Sequence, residues 1–303
     1  MSAGNAQASI IVGGVRLTSP EKVLWPQAGI TKRDLADYYL SHADRILEHV
    51  RDRPASVVRC PQGREGACFF QRHHVASTPD EIDYTDIREK DGTVAKYLVL
   101  NTPKALAAAA QIGVMELHIW GAHIDRDRPD RIVFDLDPGP SVAFAEVVAA
   151  AMEIRAMLEE VGLEGFPMLT GGKGVHVAVP VERRNSWNDA KVFARGLAHA
   201  LEARAPEAYV AQAAKSLRTG RIFVDWLRNE RGATAIAPFS PRARPGAPVA
   251  TPVSWDELPA MASGGAFTMS TIDARLRSLR SDPWEGYFAL RQRLTAAAIA
   301  RFA

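Results

Sequence analysis

The chain has 303 residues, a formal net charge of +2, 47% hydrophobic and 24% charged side chains. Such a composition is globular, and the length suits one large domain or two closely packed lobes whose core needs no disulfide or metal to hold it. It excludes a uniformly basic nucleic-acid coat, and no apolar run approaches the roughly 18 residues of a membrane-spanning helix. Two cysteines, Cys60 and Cys68, with no hydrophobic signal segment before them, read as thiols in a reducing cytoplasm.

Residues 1–10 are small and polar at their start and read as a disordered lead-in to a folded domain over 11–303. The first strong element is a helix over Lys32 to Val50. Thr31 and Asp34 form its capping box, and Leu35, Tyr38, Ile46, Leu47 and Val50 form its apolar stripe. A strand is expected over Arg131 to Asp137 and a helix over Val142 to Val161, with Ser141 as N-cap and Gly162 past its end. Phe166 to Thr170 and Val175 to Val179 read as two strands joined by a glycine turn. A further helix runs from Trp187 to Arg204, opened by Ser186 and Asp189. Arg221 to Leu227 is another strand with Thr234 to Phe239 as its partner, and Asp282 to Ala303 a final helix. Strands mixed with helices without a regular βαβ beat favour an α+β fold over a doubly wound sheet. No linker divides the chain into independent domains.

Chemistry concentrates in three of these strands. Asp135 and Asp137 lie two apart at the exit of an apolar strand, so both carboxylates leave by one face. Two adjacent acids repel unless a cation or proton lies between them, and hard ions such as Mg²⁺ or Mn²⁺ suit that arrangement. A lone D-x-D is equally compatible with two exposed acids that bind nothing. Asp225, inside Ile222 to Leu227, tips the balance, because an acid in an apolar strand needs a cation: a metal, or Arg218 or Arg221 in a salt bridge. Between the acidic strands lies Thr170-Gly171-Gly172-Lys173-Gly174-Val175-His176, whose glycines let backbone N–H groups approach a phosphate. His176 alternates away from Val175, Val177 and Val179 and so leaves the core. Arginine outnumbers lysine 29 to 8, and the segment Lys215 to Arg231 carries five of these cations around Asp225 and Glu230. That stripe suits a phosphate substrate, or is a solvated surface.

FDLDPG at Phe134 to Gly139, TGGKGVHV at Thr170 to Val177 and KSLRTGRIFVDWLRN at Lys215 to Asn229 resemble the three motifs of the archaeo-eukaryotic primase superfamily. More closely, the chain resembles the polymerase domain of bacterial DNA ligase D. VRLTSPEKVLWPQAGITKRDLADYY, RPASVVRCPQG, ACFFQRH, GVMELHIWGAH and ATAIAPFSPRAR match that domain's landmarks in order, from about Val15 to Phe302.

The resemblance implies a primase-polymerase fold. A mixed or antiparallel catalytic sheet is flanked by helices, with a packed N-terminal α/β lobe and the catalytic core at about residues 110–245. It makes Asp135, Asp137 and Asp225 the ligands of two ions, Mn²⁺ or Mg²⁺. It gives His118, Thr170, Lys173, His176, Arg218 and Arg242 to the nucleotide's triphosphate, sugar or metals. Thr170 stands where serine is commoner and keeps the hydroxyl. Phe69 and Phe70 would stack on the base or the template, though by themselves they are also ordinary core residues. Lys22 and Lys32 would grip a DNA 5′-phosphate, and Lys32 opens a helix whose dipole already favours an anion.

The implied activity is template-dependent addition of ribo- or deoxyribonucleotides to a primer 3′ end. Its setting is gap filling during non-homologous end joining, with NTP or dNTP, gapped, overhanging or 5′-phosphorylated DNA, Ku and a ligase domain as partners. The implied location is the cytoplasm of a bacterium, at the nucleoid, with no membrane involved. A free-standing primase, a non-catalytic end-binding module and a nuclease are the rival readings. Cys60, Cys68, His73 and His74 do not have a usual zinc spacing. His42, His49, His123 and His199 lie in or beside helices and read as packing or surface residues. Glu89-Lys90-Asp91-Gly92 lacks the first lysine of the ligase K-x-D-G, so no ligase chemistry is expected.

Overall fold

The structure, a computed structural model, describes residues 8–125 and 127–302. The described residues form two compact units, one up to Ile119 together with Ile236–Ala247, the other Trp120–Ala235 together with the remainder from Pro248.

The first unit opens with two hairpins, β1 (Ser9–Val12) on β2 (Val15–Thr18) and β3 (Val23–Trp25) on β4 (Ile30–Thr31). Structure thus begins inside the expected lead-in, at Ser9; residues 1–7 lie outside the described ones. The helix expected over Lys32 to Val50 is two helices, α1 (Lys32–Ser41) and α2 (Ala43–Val50). The Thr31–Asp34 capping box opens α1 as expected. His42, at φ −108° and ψ 13°, interrupts the helix with its ring stacked on Tyr38 at 4.3 Å. An antiparallel sheet follows from β5 (Ala55–Arg59), β6 (Phe69–Gln71), β7 (Asp83–Arg88), β8 (Val94–Val99) and β9 (Val114–Trp120). The alanine-rich α3 (Pro103–Gln111) precedes β9, capped by the Thr102 hydroxyl. Cys60 and Cys68 are joined in a disulfide with Cα atoms 4.3 Å apart, which corrects the reading of two free thiols. Once β5 and β6 pair in register, the two thiols that flank their connection are brought together.

The second unit is built on a six-stranded sheet. Its members are β10 (Arg131–Pro138), β11 (Phe166–Leu169), β12 (Val175–Pro180), β13 (Tyr209–Val210) and β14 (Ile222–Asp225), with β16 (Thr251–Pro252) at one edge, in the order β13-β14-β10-β12-β11-β16. Only β13 and β14 pair in parallel, so the sheet is mixed and mostly antiparallel. The expected partner of β14 is not one: β15 (Thr234–Ile236) lies beside β9 instead. The antiparallel β10 already takes one edge of β14 and β13 the other.

Alternation along the strands divides the sheet into two faces. Ile132, Phe134, Leu136, Val175, Val177, Val179, Ile222 and Val224 pack against α4 (Phe144–Glu159) and α5 (Trp187–Arg204) in one hydrophobic core. Each such side chain contributes roughly 1.5–3 kcal/mol by burial. The residues between them, Asp135, Asp137, His176, Phe223 and Asp225, are thereby directed to the other face. α5 has the expected bounds and its Ser186–Asp189 capping box. α4 starts later than expected because Ser141 takes φ 70° in the turn leaving β10, and the Glu146 carboxylate accepts from the Ala143 N–H at 2.6 Å instead.

After the short helix α6 (Ile272–Ser278), the chain does not form one helix over Asp282 to Ala303; only α7 (Ala296–Phe302) is helical. Residues 282–295 satisfy the edge of the sheet region. Trp284 Nε1 donates to Pro167 O at 2.8 Å, and Gln292 Nε2 donates to Glu164 O and Pro180 O at 2.9 and 2.6 Å. Among the described residues no helix is long and apolar enough to cross a membrane.

Candidate active site

Strand register brings the acids together. Asp135 of β10 stands directly opposite Asp225 of β14 and, on its other side, opposite His176 of β12. Directly opposed residues of an antiparallel pair share a face with Cβ atoms about 5 Å apart. Asp137 follows on that face, opposite Phe223. The proposed triad and His176 therefore occupy one patch of the second unit.

Two arginines meet this patch. Arg228 reaches Asp225 Oδ2 at 3.0 Å and Asp135 Oδ2 at 3.3 Å, and Arg218 reaches Asp137 Oδ2 at 3.4 Å. His176 Nε2 is 3.3 Å from Asp135 Oδ1. Arg218 also lies over the Phe223 ring at 3.9 Å and donates to Ala213 O at 2.7 Å. The salt bridge anticipated for Asp225 thus exists, but with Arg228; Arg221 instead donates to Pro206 O.

These cations do not fully neutralise the acids. Burial, then the charge of Asp135, pushes the Asp137 carboxyl above the usual carboxylate range, against Arg218, Arg228 and His176 pulling it down. Burial also raises Asp225, opposed by Arg228 and reinforced by Asp135 and Asp137. An under-neutralised patch of hard oxygen donors is the chemistry that divalent ions require. Among the described residues, no three His, Cys, Asp or Glu side chains already converge as a closed ligand set. Arginine guanidinium groups stand against those oxygens instead.

The glycine loop packs close to β10. A Cβ on Gly174 would fall 2.3 Å from Leu136 O, and one on Gly139 only 1.7 Å from Arg218 O, so both positions require glycine. The buried Thr170 donates its hydroxyl to Gly174 O at 3.0 Å, closing the loop, while Lys173 at the tip is exposed.

The first unit carries the other expected residues. His118 and Glu116 share a face of β9, with His118 Nε2 2.8 Å from Glu116 Oε2. Arg242 Nε lies 3.1 Å from Glu116 Oε1, and the Ala243 N–H donates to the same oxygen at 2.9 Å. Burial pushes Glu116 up, but the His118 hydrogen bond, the Arg242 and His118 charges and the Ala243 N–H outweigh it and hold the carboxyl at about 2. Trp25 Nε1 donates to Arg242 O at 3.1 Å, which fixes the arginine's backbone from β3. Phe69 and Phe70 are 46% and 48% exposed, which rules out core packing. Phe70 meets the His118 ring edge-on at 5.5 Å, and Arg59 lies 5.4 Å from the Phe69 centroid.

Lys22 and Lys32 are neighbours through the β3–β4 hairpin, where Lys32 N donates to Lys22 O at 2.8 Å. Burial and the nearby Lys22 charge both lower the Lys32 ammonium. The start of α1 is not an open anion site, however. The Lys32, Arg33 and Asp34 N–H groups donate to Lys22 O, Pro20 O and the Thr31 hydroxyl. The ammonium groups themselves would have to meet a phosphate. Lys22 Nζ is held by Pro61 O and Gln62 Oε1 at 2.7 and 2.6 Å, and Lys32 Nζ by Thr18 O at 2.8 Å.

Sequence reasoning missed Glu116 and Arg228. Glu116 was legible as a buried acid two residues from His118 in an apolar strand. Arg228 gave no such signal, because its reach back to the acids depends on the chain turning after Asp225. Of the four histidines read as helix-associated packing or surface residues, His42 and His49 are buried and His199 pairs with Glu202 at 3.1 Å, whereas His123 lies in the connection between β9 and β10, away from any helix in sequence, and pairs with Asp130 at 3.0 Å.

The family model of the LigD primase-polymerase domain matches residues 31–284. The chain is 37% identical over 298 residues to the multifunctional non-homologous end joining protein LigD of Pseudomonas aeruginosa, a match covering 98% of this chain and 35% of that protein. It is 38% identical over 271 residues to the protein of that name from Mycolicibacterium smegmatis, covering 88% and 34%. The polymerase domain of Mycobacterium tuberculosis ligase D in complex with DNA shares the fold with a TM-score of 0.83 at 33% identity, over 91% of this chain and 98% of that one. The chain spans about a third of the length of the two LigD proteins. The α+β primase-polymerase fold expected from the motifs is thus the fold observed, and the chain belongs to the LigD primase-polymerase domain family, a family of metal-dependent nucleotidyltransferases of the polymerase-primase type.

Proposed function

We propose that the chain adds ribo- or deoxyribonucleotides to a primer 3′ end, guided by a template, at gaps, overhangs and 5′-phosphorylated ends during end joining. The observation that carries this reading is the register placing Asp135 opposite Asp225 with Asp137 two residues on, three hard-oxygen donors on one sheet face. Asp135, Asp137 and Asp225 would hold two divalent ions, Mn²⁺ or Mg²⁺. Two such ions, when bound, activate the primer hydroxyl and offset charge on the departing pyrophosphate.

The chain's own groups do the rest. Lys173, exposed at the tip of a loop closed by Thr170, offers a point charge to the triphosphate, and Arg218 a forked one. His176, facing Asp135, orients that carboxylate. In the first unit, Glu116 keeps its charge and so holds His118 and Arg242 as fixed donors toward the sugar and phosphates. Phe69 and Phe70 offer apolar faces to a base or to the template strand. Lys22 and Lys32 meet the 5′-phosphate beyond the gap. Ku and a ligase domain are the partners that this chemistry would serve in the bacterial cytoplasm, at the nucleoid.

The deciding experiment offers gapped DNA, with and without a 5′-phosphate, together with NTP or dNTP and Mn²⁺ or Mg²⁺, to the parent chain and to Asp137→Ala. Template-dependent extension by the parent and its loss in the variant are expected. Equal extension by both would remove the catalytic assignment. Cleaved strands without pyrophosphate would point to a nuclease, and extension without any primer to a free-standing primase.

A further inference from the structure

Asp135 and Asp225 are buried, opposite each other and of like charge, and a single guanidinium bridges them. Arg228 contacts the Oδ2 atoms of both, at 3.3 and 3.0 Å. Its side chain is 38% exposed, whereas those of Asp135 and Asp225 are 12% and 8% exposed. The cation thus caps the acids with part of its side chain open to water; its Nε is buried, and its Nη1 makes a long contact to Thr234 O at 3.5 Å, so the side chain keeps room to move. Its backbone has no such freedom. The Leu227 N–H donates to Asp225 Oδ1 at 2.9 Å, and the Asn229 amide is paired to Val133 on both sides at 2.8 Å. Only the side chain can swing. Arg218 is held more firmly, being 18% exposed, seated on the Phe223 ring and bonded to Ala213 O at 2.7 Å.

A divalent ion held by Asp135 and Asp225 would draw on the same two carboxylates that the guanidinium engages. The two cations would compete for them. We propose that Arg228 is a displaceable counter-cation of the acid patch. It offsets part of the charge of Asp135 and Asp225 in the metal-free protein and must leave them before an ion enters, and so it sets the metal concentration that the enzyme requires. This inference rests on the metal-binding reading of the three acids. A ligand that binds only after an internal competitor departs has its affinity reduced by the fraction of protein in the open state.

The test is a Mn²⁺ titration followed by electron paramagnetic resonance, without nucleotide or DNA, on the full chain and on Arg228→Gln. The variant is expected to bind Mn²⁺ at least about tenfold more tightly and to melt at a lower temperature when metal-free, the gap closing in saturating Mn²⁺. Binding of equal or lower affinity overturns the role given to Arg228 while leaving the metal site in place. Absence of binding by both proteins overturns the metal reading itself and this inference with it. Arginine modification by phenylglyoxal, mapped by mass spectrometry on the parent chain, decides independently of the variant's folding. Mg²⁺ should increase labelling of Arg228 severalfold and leave the exposed Arg16 of β2 unchanged; labelling of Arg228 that stays constant or falls overturns the proposal.

Discussion

Asn229 gives the sharpest test of how the acid patch is held. The chain leaves the sheet after Asp225, so beyond that point β10 loses its neighbour on the β14 side. The Asn229 side chain takes the place of a strand residue: its Oδ1 accepts from the Val133 N–H at 2.8 Å, and its Nδ2 donates to Val133 O at 2.8 Å and Trp226 O at 3.0 Å. Asn229 is 3% and Val133 6% exposed, so water does not readily replace the amide. Asn229→Ala leaves the Val133 N–H and C=O buried and unpaired, at roughly 1–3 kcal/mol each. The expected loss is about 2–6 kcal/mol, a large part of a typical folding stability of about 5–15 kcal/mol. In a scanning calorimeter that is a drop on the order of 3–9 °C. Asn229→Asp should do no better, since it keeps one acceptor but turns two donations into contacts between oxygens. Because Val133 lies two residues before Asp135, primer extension should fall further than the lost stability alone explains. A melting temperature for Asn229→Ala within about 1 °C of the parent would refute the argument, because it would mean the buried pairing to β10 is not made.

Other expectations follow from the same geometry. Glu116 is depressed from its ordinary value of 4.5 to about 2, so its stabilisation is complete above pH 4.5 and is lost as pH falls toward 2. A shift of that size corresponds to roughly 3 kcal/mol. Melting curves from pH 6 to 3 should therefore fall more steeply for the parent than for Glu116→Gln, and parallel curves would contradict this. Gly139→Ala, whose new methyl carbon would sit 1.7 Å from Arg218 O, should abolish extension or folding, as judged by circular dichroism and the extension assay. Phe70→Ala, at an exposed site, should shift stability by no more than about 0.5 kcal/mol. It should weaken nucleotide or template binding by about 1–3 kcal/mol in fluorescence anisotropy. Lys22→Ala should erase the preference for a 5′-phosphorylated gap over a 5′-hydroxyl one in the same assay, and an intact preference would remove Lys22 from that role.

What could be read along the chain is whatever depends on local rules. Period-two alternation in RIVFDLD and GVHVAV put the acids and His176 on one face and the valines on the other, and S-x-x-D and T-x-x-D fixed where α5 and α1 begin. Those signals act over a few residues, so they survive without knowledge of neighbours. Which strands meet emerges only once the chain is folded. Folding set Asp225 opposite Asp135, sent Thr234–Ile236 to β9, and joined Cys60 to Cys68. It also turned Arg228 back onto two acids, tied Glu116 between His118 and Arg242, and drew residues 282–295 along the sheet instead of into a helix. Each of these depends on groups far apart in the chain competing for the same hydrogen bonds and the same charge. Spacing along a sequence carries no record of which competitor wins.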